Sequence, residues 1–207
     1  MKDYEALSKK HFDSQAAQYD ERNTVYYSRE GKISCYDIQK LLKDRDYSSL
    51  LDVGCGTGFL IDLLAKEHQA DYVGLDLSDE MIKMAEKKNI QGARFIVGTA
   101  DKLPFEDETF DIVTCSQSFH HYPYPEKAMA EALRVLKKGG LYILSDTGVG
   151  GIGAWIDNHI LFKLSGSGDC HTTNRKGIAA MMEKTGFKVE EAYQIRTFIY
   201  TVAGRKL

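Results

Sequence analysis

Three glycines at alternate positions, Gly54, Gly56 and Gly58, follow the apolar run Leu50-Leu51-Asp52-Val53 and enclose Cys55 and Thr57. Such a run reads as a buried strand that delivers the chain into a turn, where glycine permits positive φ and leaves no Cβ in the way of a ligand. The periodic stretch at 59–66 then reads as a helix whose free N–H groups face that ligand. This is the chemistry of a nucleoside-bearing cofactor. The spacing is GxGxG, with bulky Phe59 at the third fingerprint position of a dinucleotide loop, which argues against a nicotinamide or flavin site. Asp76 closes the next apolar run, 72–75, where a carboxylate can accept hydrogen bonds from both hydroxyls of a ribose. His120 and His121, in Ser118-Phe119-His120-His121-Tyr122, follow a later apolar run and titrate near neutral pH. They suit a general base, and equally the shaping of a pocket or the capping of the next helix.

Residues so far apart need a scaffold that brings strand ends together. From residue 48 the chain alternates short apolar runs with amphipathic ones, the pattern of a parallel sheet covered by helices on both faces. Strands are expected near 49–53, 71–76, 93–97, 110–115 and 140–146. Helices are expected near 58–67, 79–88 and 125–136, with a looser link near 101–109. Ser78 with Asp79 and Glu80 supplies an N-cap and acidic first turn, Pro123 and Pro125 punctuate the approach to the third helix, and Gly139-Gly140 separates it from the last core strand. The end of the chain reads as a helix at 173–185, a stop at Gly186, and two strands at 187–195 and 198–203 with a turn near Arg196.

The glycine loop, Tyr72-Val73-Gly74-Leu75-Asp76-Leu77-Ser78, Gly98-Thr99-Ala100-Asp101-Lys102-Leu103-Pro104-Phe105, Phe110-Asp111-Ile112-Val113-Thr114-Cys115-Ser116 and Leu133-Arg134-Val135-Leu136-Lys137-Lys138-Gly139-Gly140 occur in one order. Together they resemble a class I S-adenosylmethionine-dependent methyltransferase, nearest the small-molecule branch of the ubiquinone/menaquinone-biosynthesis type. The likeness covers roughly residues 48–146. It implies an α/β, Rossmann-like, mostly parallel seven-stranded sheet with helices on both faces and a C-terminal antiparallel hairpin. It also implies a single domain over 1–207: N-terminal lid helices at 1–47, a cofactor core at 48–146, a substrate-covering insert at 147–173, and a C-terminal helix and hairpin at 174–207.

By the same resemblance, Asp76 and the adjoining Leu77 meet the ribose, Ala100 and Asp101 read the adenine amine, and Asp52, Gly54, Cys55 and Gly56 order the methionine end. Ser116 lies where the family contacts the methionine ammonium and the reacting methyl. The segment Phe12-Asp13-Ser14-Gln15-Ala16-Ala17-Gln18-Tyr19-Asp20 resembles the FDxxAxxYD pattern that precedes the core in this branch. Tyr19 would then close over the methionine end, its electron-rich face toward a cation; a plain amphipathic helix packing Phe12 and Tyr19 on the core is the other reading. Methyl transfer by direct displacement asks mainly for alignment of nucleophile, methyl and sulfur, with His120 or His121 as base only where the acceptor must lose a proton.

Composition narrows the rest. A chain of 207 residues with 43% hydrophobic and 28% charged residues is ordinary for one globular domain. No apolar run is long enough to cross a bilayer and the first residues lack the regions of a signal peptide, so the expectation is a cytoplasmic protein without membrane insertion. A net charge of −3 gives no basic field for nucleic acid, and no D/N-PP-Y/F motif follows the fourth strand. The partner expected is a small-molecule acceptor. Cys35, Cys55, Cys115 and Cys170 form no CxxC pair, so no disulfide framework or zinc knuckle is expected, and Cys170-His171 alone does not make a metal site. The apolar stretch 155–164, between glycine-rich segments at 148–153 and 165–168, fits a substrate lid, a core-packing helix or a homodimer interface. Two other functions stay compatible with these residues: a noncatalytic protein that binds the cofactor or a partner, and an enzyme using a modified S-adenosylmethionine.

Overall fold

The computed structural model describes residues 3–20, 27–165 and 168–207, with the backbone alone at 27–31. Gly166 and Ser167 of the second glycine-rich segment therefore lie outside the described residues. The strands are β1 (Ser49–Val53), β2 (Asp71–Asp76), β3 (Ala93–Val97), β4 (Phe110–Ser116), β5 (Leu136–Thr147), β6 (Phe187–Gln194) and β7 (Ile199–Lys206). They form one sheet in the order β3-β2-β1-β4-β5-β7-β6. The first five are parallel, and β7 inserts antiparallel between β5 and β6. The expected sheet and closing hairpin are present.

Alternation along each strand divides the core. Leu51, Val53, Val73, Leu75, Val113, Cys115, Tyr142 and Leu144 point to one face, where α5 (Pro125–Val135) and α8 (Arg175–Thr185) pack through Met129, Ala132, Ile178 and Met182. Leu50, Tyr72, Ile112, Leu141 and Ile143 point to the other, against α2 (Tyr27–Leu42), α3 (Phe59–Ala65) and α4 (Asp79–Glu86). This two-sided burial explains why the central strands read as continuous apolar runs. The β3–β4 link at 98–109 carries no helix, as its lack of periodicity suggested.

Two boundaries differ from the sequence expectation. No linker separates α5 from the last core strand, because Leu136 is fully buried and already pairs with Phe110. Gly139, at φ +76°, lies within β5, and the pairing register shifts between Phe110 and Ile112, as in a bulge. In the insert, the helix begins at Gly151 rather than Trp155. It runs through α6 (Gly151–Ile156), a π turn (Asp157–Leu161) and α7 (Phe162–Leu164) with no buried residue. That exposure removes the core-packing reading of the insert. No helix among the described residues is long and apolar enough to cross a membrane.

Ahead of the sheet, α1 (Tyr4–Gln15), capped by Asp3, and a 3-10 turn (Ala16–Gln18) form a strap. Asp13 accepts a hydrogen bond from the Ser78 hydroxyl at 2.5 Å, and that same oxygen caps Met81 N–H at the start of α4. Lys9 pairs with Asp13 and with Asp79. Beyond the 3-10 turn, Asp20 takes the Thr57 hydroxyl at 2.6 Å and pairs with Lys88 at 2.8 Å.

Candidate functional site

β1 and β4 are neighbours whose onward connections leave in opposite directions across the sheet, which opens a crevice at their C-terminal ends. The glycine turn forms its floor. Gly54 and Cys55 both donate N–H bonds to Leu75 O, at 2.7 and 3.0 Å, which ties the turn to the end of β2. Gly54 has φ +75°, and a Cβ there would collide with the Ser118 side chain, so glycine is required on both counts. Gly58, also at φ +75°, precedes the first turn of α3.

Asp76 is fixed by the turn it faces. Its Oδ2 accepts from Gly56 N at 2.8 Å and its Oδ1 from Ser78 N at 2.9 Å. Burial raises its pKa, against the pull of these backbone donors. Asp52 is 2% exposed and accepts the Thr114 hydroxyl at 2.8 Å; burial, with Asp76 nearby, pushes its pKa up to about 7. Tyr122 locks the far wall. Its hydroxyl donates to Val53 O at 3.0 Å and accepts from Ser118 Oγ at 3.0 Å.

All ten residues expected at the cofactor, Tyr19, Asp52, Gly54, Cys55, Gly56, Asp76, Leu77, Ala100, Asp101 and Ser116, line this one pocket, and Phe12 of the strap lines it beside Tyr19. Among the described lining residues, Glu5, Asp20, Asp52, Asp76 and Asp101 are acidic and Lys32 is the basic one. A pocket so charged, with aromatic Phe12, Tyr19, Phe59 and Tyr122 in its walls, suits a ligand carrying adenine and positive charge. Those carboxylates and rings fit S-adenosylmethionine, with its ammonium and sulfonium, better than an anionic dinucleotide.

The two histidines part company. His121 lines the pocket, with the Phe12 ring edge-on at 5.0 Å. Burial and the adjacent His120 hold its pKa down at about 3, so it is a neutral imidazole whose Nδ1 is buried without a hydrogen-bond partner. His120 turns away from the pocket. Its Nδ1 meets Asp146 Oδ1 at 2.6 Å and its backbone N–H meets Oδ2 at 3.0 Å. Burial opposes its charge, but Asp146 outweighs burial and raises its pKa. Asp146 lies near the end of β5, a strand end that the sequence reading passed over. Ser118 and Tyr122 were visible only as neighbours of the histidine pair. Asp169, within 3.7 Å of both His120 and His121, gave no signal at all.

The sheet order and the glycine turn at the crevice are those implied by the resemblance to class I S-adenosylmethionine-dependent methyltransferases. Residues 51–144 match the family described as "Methyltransferase domain", the region that carries the resemblance read from the sequence. It is 40% identical over 99 residues to a phthiotriol/phenolphthiotriol dimycocerosates methyltransferase of Mycobacterium ulcerans, covering 47% of this chain and 36% of that one. It is 36% identical over 116 residues to a fatty-acid O-methyltransferase of Mycolicibacterium smegmatis, covering 55% and 42%. The matched region thus spans about two fifths of those relatives' length. The fold is that of the YcgJ protein of Bacillus subtilis, with a TM-score of 0.71 at 20% identity over 84% of this chain and 97% of the other.

Proposed function

We propose that the protein transfers a methyl group from S-adenosylmethionine to a small-molecule acceptor by direct displacement. The observation that carries this reading is Asp76, half-buried at the strand end and held by Gly56 and Ser78 N–H groups on the floor of an acid-lined pocket. Bound there, S-adenosylmethionine supplies an electrophilic methyl on a positively charged sulfur. The residues do the rest by placement. Asp76 and Leu77 hold the ribose, Ala100 and Asp101 face the adenine, and Asp52, Gly54, Cys55, Gly56 and Ser116 border the amino-acid end, with Tyr19 closing from the strap.

Acceptor chemistry falls to the region around His121 and Phe12. His121 borders this end of the pocket as a neutral imidazole, and the His120–Asp146 pair behind it fixes the wall. One relative is named a fatty-acid O-methyltransferase, which favours an apolar acceptor. The exposed apolar helix of the insert, 151–164, fits a cover for such a molecule or a face for a second copy of the chain. A cytoplasmic setting suits both cofactor and acceptor.

Isothermal titration with S-adenosylmethionine and S-adenosylhomocysteine, with NAD as control, tests the reading. The first two should bind at micromolar concentration. Asp76→Ala should weaken both at least tenfold, as expected when charge-assisted bonds of about 1.5–3 kcal/mol are lost. No binding by the folded protein would overturn the proposal.

A further inference from the structure

Behind the pocket wall, three side chains from two separate segments converge without satisfying one another. His120 Nε2 and His121 Nε2 each lie 3.7 Å from the same oxygen, Oδ1 of Asp169. That separation is too long for a hydrogen bond. It matches the spacing of ligands around one metal ion, since bonds of about 2.0–2.2 Å put neighbouring donor atoms roughly 3–4 Å apart. All three donor atoms lie within 4.8 Å of one another.

We propose that His120, His121 and Asp169 bind a divalent transition-metal cation beside the acceptor end of the pocket. Two further features have the form of a metal site. Asp146, 1% exposed, meets Nδ1 of His120 at 2.6 Å, which fixes the tautomer and leaves the Nε2 lone pair directed outward, the arrangement found behind metal-bound histidines. The two segments are also clipped together by backbone: Cys170 N–H and His171 N–H both donate to His120 O, at 3.1 and 3.3 Å. The cluster is therefore held by main chain, with side-chain exposures of 13%, 9% and 17% for His120, His121 and Asp169. Cys170 and His171 contribute no donor to the cluster; the ligand comes from their neighbour Asp169.

Donor type selects the ion. Two imidazoles and one carboxylate suit Zn²⁺, Co²⁺ or Fe²⁺, whereas Mg²⁺ and Ca²⁺ prefer oxygen-only sites. Three protein ligands leave coordination positions open, and His121 borders the pocket, so an acceptor oxygen is the natural additional ligand. That last role rests on the methyl-transfer reading. Binding of the cation does not.

The test uses the full chain, stripped by chelator and titrated with Co²⁺ in the absence of S-adenosylmethionine, with visible ligand-field bands as the readout and Zn²⁺ as competitor. One equivalent should bind at micromolar concentration and be displaced by zinc. His120→Ala and the isosteric Asp169→Asn should each weaken binding at least tenfold, while His159→Ala, on the exposed insert helix, should leave it unchanged. Thermal melting of the metal-free variants separates lost ligation from lost folding, and Asp169→Asn carries the result if His120→Ala does not fold. Absence of the bands in folded wild type, or equal binding by Asp169→Asn, would overturn the site and leave the cluster as an imidazolium shared between Asp146 and Asp169. A protein that binds cobalt but no S-adenosylmethionine would keep this site and lose the methyltransferase reading.

Discussion

Asp52 sits in an uncomfortable place for a carboxylate, buried near a second, half-buried acid, Asp76. Its folded pKa near 7 lies above the unfolded value of about 4, so the folded chain holds the proton longer. Stability therefore falls as pH rises from about 4 through 7 and stays low above that. Asp52→Asn should raise Tm more at about pH 8 than at about pH 5, and a difference of the opposite sign would refute the assignment. Cofactor binding should run the other way in the wild type: a cationic ligand favours the ionised carboxylate, so affinity for S-adenosylmethionine should rise as pH passes through 7. At this scale Asp76 and the glycine turn were legible as parts of one pocket because a strand-end acid and a glycine turn are each local patterns. Asp146 and Asp169 were not, since each gains meaning from a histidine more than twenty residues away, brought near by the sheet and by the loop after the insert.

Among the elements, the insert helix is the one whose pattern pointed several ways. Its apolar residues suggested burial, yet Ile152 and Leu164 are 79% and 80% exposed and Trp155 is 56% exposed. Composition tells that such a face wants a partner, and only the structure tells that the core is not that partner. Trp155→Ala removes little packing, so its Tm should stay within about a degree or two, as for surface substitutions generally. If the helix covers the acceptor, the variant's KM for that acceptor should rise several-fold with kcat little changed. A KM equal to wild type, accompanied by loss of a dimer in light scattering, would assign the face to a second copy of the chain. The early start of β5 is a smaller case of the same kind: Gly139-Gly140 reads as a break, and the sheet absorbs it as a bulge because Leu136 is better buried than turned out.

For the molecule as a whole, a parallel sheet with helices on both faces followed from alternating apolar and amphipathic runs, while the fastenings of the strap, whose closing role only the family resemblance implied, did not. Parallel strands, crossover helices and the final hairpin each announce themselves within ten or fifteen residues. The fastening of the first helix to the fourth involves residues 65 or more positions apart, through Asp13 with Ser78 and Lys9 with Asp79, and Asp20 reaches Thr57 and Lys88 in the same way. No window along the chain contains both partners.

That clasp sets a clock. If S-adenosylmethionine lies beneath Phe12 and Tyr19, as proposed, it can leave only after these fastenings let go, so its residence time should track the opening of the strap rather than the strength of its own contacts. The Lys9 and Asp20 pairs are partly exposed, and salt screens such pairs. In stopped-flow displacement, S-adenosylhomocysteine should therefore dissociate several-fold faster at about 1 M than at about 0.1 M salt, and a rate indifferent to salt would show that exchange proceeds without unfastening the strap.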